Sequence, residues 1–351
     1  MNRVSIAVDL AKSVFQWVVA EESGRIIERK RLTRSQFLRF WENRLPCRVL
    51  MEACGSAHYW GRRLLTRGFD VVLLPAPSVT PYVQRNKTDE RDAEGLLEAV
   101  KSPRVHAVSI KSVDQQAILS LHRVREQWKR TRTARINGMR GLLREFGVVC
   151  ATGAETLMRA LPIILQERPE EVPVPVRGLL WQMHGEVRDL EERICSVENE
   201  LKAVAEESPV ITALLEIPGV GLLTATGLYA SVGNIHTFKS GRHLASWLGI
   251  TPKEHSSGSR RRLGRISKQG DAYLRTLLIH GARSALCAAI NLQAKGRPLS
   301  QLQRWAVQRT EKAHLNKAAV AVANKLARII WAVWKHERDF DGNHLPQAQA
   351  A

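Results

Sequence analysis

The sequence predicts an α/β domain over residues 1–150, a helical coiled-coil spacer over 151–207 and a mainly helical C-terminal domain over 208–351. Short apolar strands that give way to strand–helix alternation predict the first. A sustained apolar heptad from Leu180 to Val204 predicts the second. Helical stretches interrupted by a glycine-rich turn and a basic insert predict the third. A chain of 351 residues also exceeds what one hydrophobic core usually supports, about 250–300 residues, so more than one domain is expected.

Val4 to Val8 is an apolar run ending at Asp9, and Val14 to Ala20 repeats it after a tight connection. Arg25 to Arg31 completes an antiparallel meander. A helix from Ser35 to Asn43 follows, then an apolar strand from Arg48 to Met51 ending at Glu52, a helix from Ala57 to Arg67 and a strand from Val71 to Leu74. From Val113 to about Gly147 the periodicity is that of one long helix, carrying Arg123, Arg125, Lys129, Arg130, Arg132, Arg135, Arg140 and Arg144 as a basic stripe. Pro162, Pro169, Pro173 and Pro175 break the pattern. The heptad then reads Leu180, Met183, Val187, Leu190, Ile194, Val197, Leu201, Val204, which predicts a coiled coil or helical hairpin and favours self-association. Ile217 to Phe238 is uncharged and long enough to span a bilayer, but its glycines, proline and asparagine mark a soluble, turn-rich element. A helix from His314 to Lys335 closes the pattern.

The charge balance narrows the partners. Against 34 Asp and Glu stand 53 Lys and Arg, a net charge of +19, and the excess is clustered, which points to a polyanion and most simply to nucleic acid. The five cysteines (Cys47, Cys54, Cys150, Cys195, Cys287) form no C-x-x-C pair, so a reduced, cytoplasmic protein without structural zinc is expected. The start, MNRVSIAVDL, enters a strand pattern directly and has no signal-peptide character. No G-x-x-x-x-G-K-[ST] phosphate loop occurs, which removes an ATP-driven reading.

Four carboxylates stand out against this basic background. Asp9 and Glu52 end apolar strands, and Asp89 and Asp92, in NKTDERDAEGL, lie three apart on one helical face. Taken singly each is an ordinary solvated acid. Taken together they would repel one another unless a hard divalent cation, Mg²⁺ above all, bridged them. Two such ions about 4 Å apart stabilise the entering and leaving oxygens of an in-line displacement at phosphorus.

Two C-terminal motifs suit phosphate. In LLEIPGVGLLTATGLYASVG, Gly219 and Gly221 form the turn of a helix-hairpin-helix pattern, whose backbone N–H groups and following helix N-terminus can hold a phosphate without reading bases. A plain helix–helix turn fits the same residues. In EHSSGSRRRLGRISKQGD and its flanks, Lys253, Arg260, Arg261, Arg262, Arg265, Lys268 and Arg275 oppose only Glu254 and Asp271. Ser257, before Gly258, is the foremost serine here, with Ser256 and Ser259 behind it. A serine hydroxyl is a weak nucleophile without activation, so on residue chemistry alone a phosphate-contacting role is favoured over attack.

The order Asp9-Leu-Ala-Lys12, Met51-Glu52-Ala53, Asp89-Glu-Arg-Asp92 resembles the acidic set of a RuvC-like nuclease of the ribonuclease H fold. More narrowly it is similar to the DEDD insertion-sequence transposases of the IS110 type, relatives of the Piv DNA invertases. TPKEHSSG and GRISKQGDAYLR resemble that family's second, transposase domain, so the likeness covers nearly the whole chain. The resemblance implies a bacterial, nucleoid-associated recombinase in which Asp9, Glu52, Asp89 and Asp92 hold Mg²⁺, two ions per site, and Ser257 forms a phosphoserine link to DNA. It further implies a bridge RNA that pairs with donor and target DNA, and motifs assembled across the subunits of a dimer or tetramer. Lys12, Arg123, Arg130, Gly219, Gly221 and the basic residues around Ser257 are then the expected nucleic-acid contacts. Without the resemblance, a junction-resolvase-like nuclease that hydrolyses with water and a non-catalytic nucleic-acid scaffold remain open.

Overall fold

The computed structural model describes residues 4–83, 89–167, 170–258 and 260–344, apart from the side chains of Asp89 and Glu90. It divides into two compact units, Met1–Asp114 and Gln115–Ala351. This boundary counts the long basic helix with the second unit, where the sequence pattern had grouped it with the first.

In the first unit the strands β1 (Val4–Leu10), β2 (Val14–Glu21) and β3 (Ile26–Thr33) form the expected antiparallel meander. Helix α1 (Arg34–Phe40) leads to β4 (Arg48–Glu52), then α2 (Ala57–Leu65), β5 (Asp70–Leu74), the single turn α3 (Ala76–Val79) and α4 (Asp89–Ala99). The five strands lie in the order β3-β2-β1-β4-β5, with β1, β4 and β5 mutually parallel. Thr33 starts α1 with a reciprocal capping box to Gln36, satisfying two helix N-terminal donors.

Period-2 alternation divides the sheet into two apolar faces. Ile6, Val8, Phe15, Trp17, Val49, Met51 and Leu73 face one way, onto the aromatic residues Phe37 and Trp41 that follow β3 and Trp60 of α2. Ala7, Val18, Ala20, Leu50 and Leu74 face the other, onto Ala93, Leu96 and Leu97 of α4. The result is a three-layer α/β/α sandwich.

The second unit begins with α5 (Val113–Glu145), whose first two residues precede the boundary, and continues with α6 (Ala154–Glu167) and α7 (Val174–Glu207). Helices α5 and α7 run antiparallel. Arg125 meets Glu198 at 2.6 Å, Arg132 meets Glu191 at 2.7 Å and Arg135 meets Glu186 at 2.5 Å, so partners descend along α7 as they ascend along α5. To either side of this run of ion pairs Leu180 and Val187 pack with Ile136, Met139 and Leu143, and Val197 and Leu201 with Ile118. The heptad face is therefore covered in large part within the chain. Leu180, Val187, Val197 and Leu201 are buried, while Met183, Leu190, Ile194 and Val204 stay half-buried, so α5 takes much of the apolar surface that the heptad was expected to offer a second copy.

The rest is helical, with one exception. Helices α8 (Pro209–Leu215), α9 (Leu222–Val232) and α10 (Gly241–Trp247) precede a two-stranded hairpin of β6 (Pro252–Glu254) and β7 (Leu263–Ile266), and α11 (Ala272–Ala294), α12 (Gln301–Lys312) and α13 (Leu315–His336) follow. One core unites α8 to α13, with Leu228, Leu244, Leu278, Leu326 and Ile330 fully buried. No described helix is long and apolar enough to cross a membrane.

The turn between α8 and α9 leans on α11 with almost no clearance. A Cβ on Gly281 would lie 1.9 Å from the carbonyl oxygen of Gly219, which itself has φ +90°. Gly281→Ala must push α11 away from this turn by more than an ångström, and is expected to destabilise the protein by about 3 kcal/mol or more in urea unfolding. A loss under about 1 kcal/mol would mean that this packing yields easily.

Candidate active site

Strand register and face place three of the four acids. Val8 pairs with Met51 across the parallel β1–β4 ladder, so the next residues, Asp9 and Glu52, sit side by side at the C-terminal ends of neighbouring strands, which run about 4.8 Å apart. By alternation both belong to the Ala7 and Leu50 face, the one that α4 covers. The direction of α4 completes the arrangement. Leu97 and Val100, at and just beyond its C-terminal end, line a cavity with Val4, Ser5, Arg48 and Asp70 at the strand starts, so its first turn, with Asp92, lies toward the strand ends that carry Asp9 and Glu52. Asp89 begins the same turn, but its side chain lies outside the described residues.

Among the described residues no three His, Cys, Asp or Glu are already grouped as a metal cage. The donor set fits a hard divalent cation nonetheless: Asp9, Glu52 and Asp92 all offer carboxylate oxygen from one edge of one face. Lys12 is exposed in the turn just after β1.

The serine loop is the β6–β7 hairpin, a feature not expected from the sequence. Its strands are exposed on both faces, so no apolar alternation marks them. The tip is closed by two backbone bonds, Ser257 N–H to the Arg260 carbonyl at 3.3 Å and Arg260 N–H to the Ser257 carbonyl at 3.1 Å, with Gly258 at φ +56°. The serines differ sharply. Ser256 donates its hydroxyl to Glu254 at 2.7 Å and accepts from the Arg262 N–H at 3.1 Å, so it is committed to the hairpin. Ser257 is exposed and its hydroxyl bonds to no described residue. Ser259 lies outside the described residues.

Arg260 and Arg262 near the tip, Arg265 on β7 and Lys268 at the hairpin base are exposed. Arg261 is drawn to Glu254 at 3.3 Å, and the Ser256 hydroxyl together with Arg261 holds that carboxyl below its usual range. Arg275, half-buried, donates to the carbonyls of Leu248 and Gln269 at 3.2 and 3.3 Å and so clasps the hairpin base. Gly219 is likewise explained by its packing on Gly281, whereas Gly221 is exposed as the N-cap of α9. On α5 the basic stripe is only partly available, since Arg125, Arg132 and Arg135 are spent on α7. Arg123 and Arg130 remain exposed, Arg130 beside Glu126 at 3.5 Å.

A buried relay, missed in the sequence because its members are far apart, ties these elements together. Thr226 donates its hydroxyl to the Leu222 carbonyl at 2.7 Å, so it accepts from His122 Nε2–H at 3.0 Å, and His122 Nδ1 accepts from the Tyr273 hydroxyl at 2.9 Å. One chain of bonds thus joins α5, the first turn of α9 and the helix that leaves the serine hairpin. Burial, aided by the Arg125 charge, depresses the His122 pKa from 6.5 to about 4. In the unfolded chain the imidazole takes up a proton near its ordinary value, while the folded one stays neutral down to about 4. Stability is therefore full above about pH 6.5 and falls as pH drops toward about 4, by about 3 kcal/mol in total. His122→Gln is expected to lose this slope in urea melts, and an unchanged slope would assign it to other groups.

Sequence comparison matches the two parts of the chain that carry these residues. Residues 6–148 match a DEDD transposase domain model, and residues 211–296 match the model described as the transposase IS116/IS110/IS902 family. The chain is 41% identical to a probable family 20 transposase of Pseudomonas aeruginosa, over 96% of this chain and 98% of that protein. The chain belongs to the IS116/IS110/IS902 transposase family. This transposase is also 38% identical to the transposase for insertion sequence element IS1111A of Coxiella burnetii, over 95% of this chain and 90% of that one. A pilin gene-inverting protein of Moraxella bovis is 32% identical over 130 residues, 36% of this chain and 38% of that protein. The transposase is thus an enzyme acting on DNA, and its DEDD domain implies a divalent metal.

Proposed function

We propose that this transposase cuts and rejoins the DNA of its insertion sequence through a phosphoserine intermediate on Ser257, with Asp9, Glu52, Asp89 and Asp92 holding Mg²⁺. The observation that carries the reading is the contrast at the hairpin tip: Ser256 is bonded on both sides, while Ser257 stands exposed in a short turn that also carries the exposed Arg260 and Arg262. In the step itself the Ser257 Oγ–P bond forms as one backbone P–O bond breaks, and the serine proton passes to the leaving oxygen. The link is still a phosphodiester, so a DNA hydroxyl can displace the serine without nucleotide hydrolysis. Arg260, Arg262 and Arg265 hold the phosphate and balance charge gathering on its oxygens. Bound Mg²⁺ would supply Lewis-acid stabilisation at the carboxylate edge.

The exposed N-terminus of α9, with Gly221 and the helix-hairpin-helix turn, grips a neighbouring phosphate, and Arg123, Arg130 and Lys12 add further contacts. The net charge of +19 suits a bridge RNA as a second polyanion, in an assembly of two or four copies. Sequencing the nucleic acid that co-purifies with the protein tests the RNA. The central test is a DNA substrate with a suicide nick, incubated with the protein and Mg²⁺: a covalent protein–DNA adduct is expected. Strand cleavage without any adduct in the wild-type protein would establish hydrolysis by water instead.

A further inference from the structure

A second cationic surface lies on α10, α12 and α13, outside the motifs described above. Lys325 Nζ sits 4.3 Å from the centroid of the Trp305 ring, and the Arg309 guanidinium carbon 5.2 Å from it. One turn along α13 from Lys325 is Arg328, where α10 packs so closely that a Cβ on Gly241 would lie 2.8 Å from the Arg328 Cα, which brings Arg242 to the same surface. Among the described residues no carboxylate pairs with Arg242, Arg309, Lys325 or Arg328. Burial and the like charges of Arg328 and Arg309 push the Lys325 ammonium below its ordinary range, and Arg328 is lowered by burial and by Arg242. The four cations thus act on one another.

Like charges held together at a cost, with an aromatic ring beneath two of them, match a partner that supplies closely spaced negative charge. The surface also connects to the serine hairpin. Asn324, next to Lys325, donates to the Ile250 carbonyl at 3.3 Å, two residues before β6 begins.

We propose that Arg242, Arg309, Lys325 and Arg328, set around Trp305, bind the phosphodiester backbone of a nucleic acid along a track that continues from the base of the serine hairpin. This rests on the reading of the protein as a nucleic-acid recombinase and adds a contact surface to it. Each phosphate neutralised contributes about 0.9 to the salt slope of binding to duplex DNA and about 0.7 for single strands.

The test is the salt dependence of binding by the full-length protein to a random-sequence DNA duplex and to a hairpin-rich RNA of similar length. The variant is Arg242→Gln/Arg309→Gln/Arg328→Gln, all exposed positions, with Arg159→Gln on α6 as a control. The triple variant is expected to lower the slope by about 2 to 3 and the affinity at moderate salt by more than about tenfold, with an unchanged circular dichroism spectrum and an unchanged slope in the control. Loss on the duplex alone assigns the surface to DNA, and loss on the RNA alone assigns it to RNA. Unchanged slopes on both, or an equal loss in the control, overturn the proposal. Should the triple variant fail to fold, Arg309→Gln alone carries the same test, with a slope change near 1 expected and none overturning it. Adduct formation by Ser257 is read separately, so a failed adduct assay and a failed binding assay point to different errors.

Discussion

Ser257→Ala is expected to abolish the covalent protein–DNA adduct, lowering its rate by on the order of 10⁴-fold or more, as removal of an attacking side chain generally does. Ser256→Ala is expected to stay within about tenfold of wild type, because the bonds it loses, to Glu254 and to the Arg262 N–H, are exposed and each contributes little. The comparison matters because both serines lie in one short turn and either satisfies the sequence pattern. The hairpin separates them: one hydroxyl is tied into the strand pair and the other is exposed. An adduct that survives in Ser257→Ala and disappears in Ser256→Ala would move the nucleophile by one residue. Binding of DNA should change little in either variant, since neither removes a charge, and filter binding measures that independently.

Asp9→Asn is expected to lower Mg²⁺-dependent strand cleavage by roughly 10³-fold, the effect of losing about 4 kcal/mol of charge stabilisation at the reacting phosphate. The change keeps size and shape at a half-buried strand end, and the β1 ladder uses backbone groups that asparagine retains. The fold should therefore persist, as circular dichroism would show. A second readout is thermal. Metal that binds only the folded state raises the melting temperature as its concentration rises, and Asp9→Asn should lose that rise. Cleavage and metal-dependent stabilisation both unchanged in Asp9→Asn would remove this carboxylate edge from the reaction.

Much of the first unit is legible in sequence for a simple reason. Val4 to Leu10 and Val14 to Glu21 are nearly continuous apolar runs because one sheet must offer apolar side chains to two layers, and the polar residues that end the runs, Asp9 and Glu52, fall where the strands leave the core. That the two acids share a face with α4 is not legible, because it depends on the parallel register of Val8 with Met51. The heptad from Leu180 to Val204 is equally plain as a pattern, yet an apolar stripe does not state whether its partner is another copy or a helix of the same chain. Here α5 fills much of it, and the ion pairs that align the two helices remove Arg125, Arg132 and Arg135 from the basic stripe.

The β6–β7 hairpin shows the opposite case. Strand periodicity is visible when one face is buried, and this hairpin is exposed on both, so its arginines conceal it as a loop. The His122, Thr226 and Tyr273 relay was hidden for another reason: each residue is unremarkable alone, and only packing brings them within 3.0 Å.

The amino-acid order by itself determined the α/β layer, the long helices and the excess of positive charge, and it marked the residues of the two candidate centres, because periodicity, strand-end acids and composition are local properties of the chain. Tertiary structure alone decided which carboxylates share an edge, which arginines are consumed in ion pairs, which serine is exposed and where a second cationic surface forms. Those outcomes depend on register and on contacts between residues distant in sequence, which no local pattern encodes.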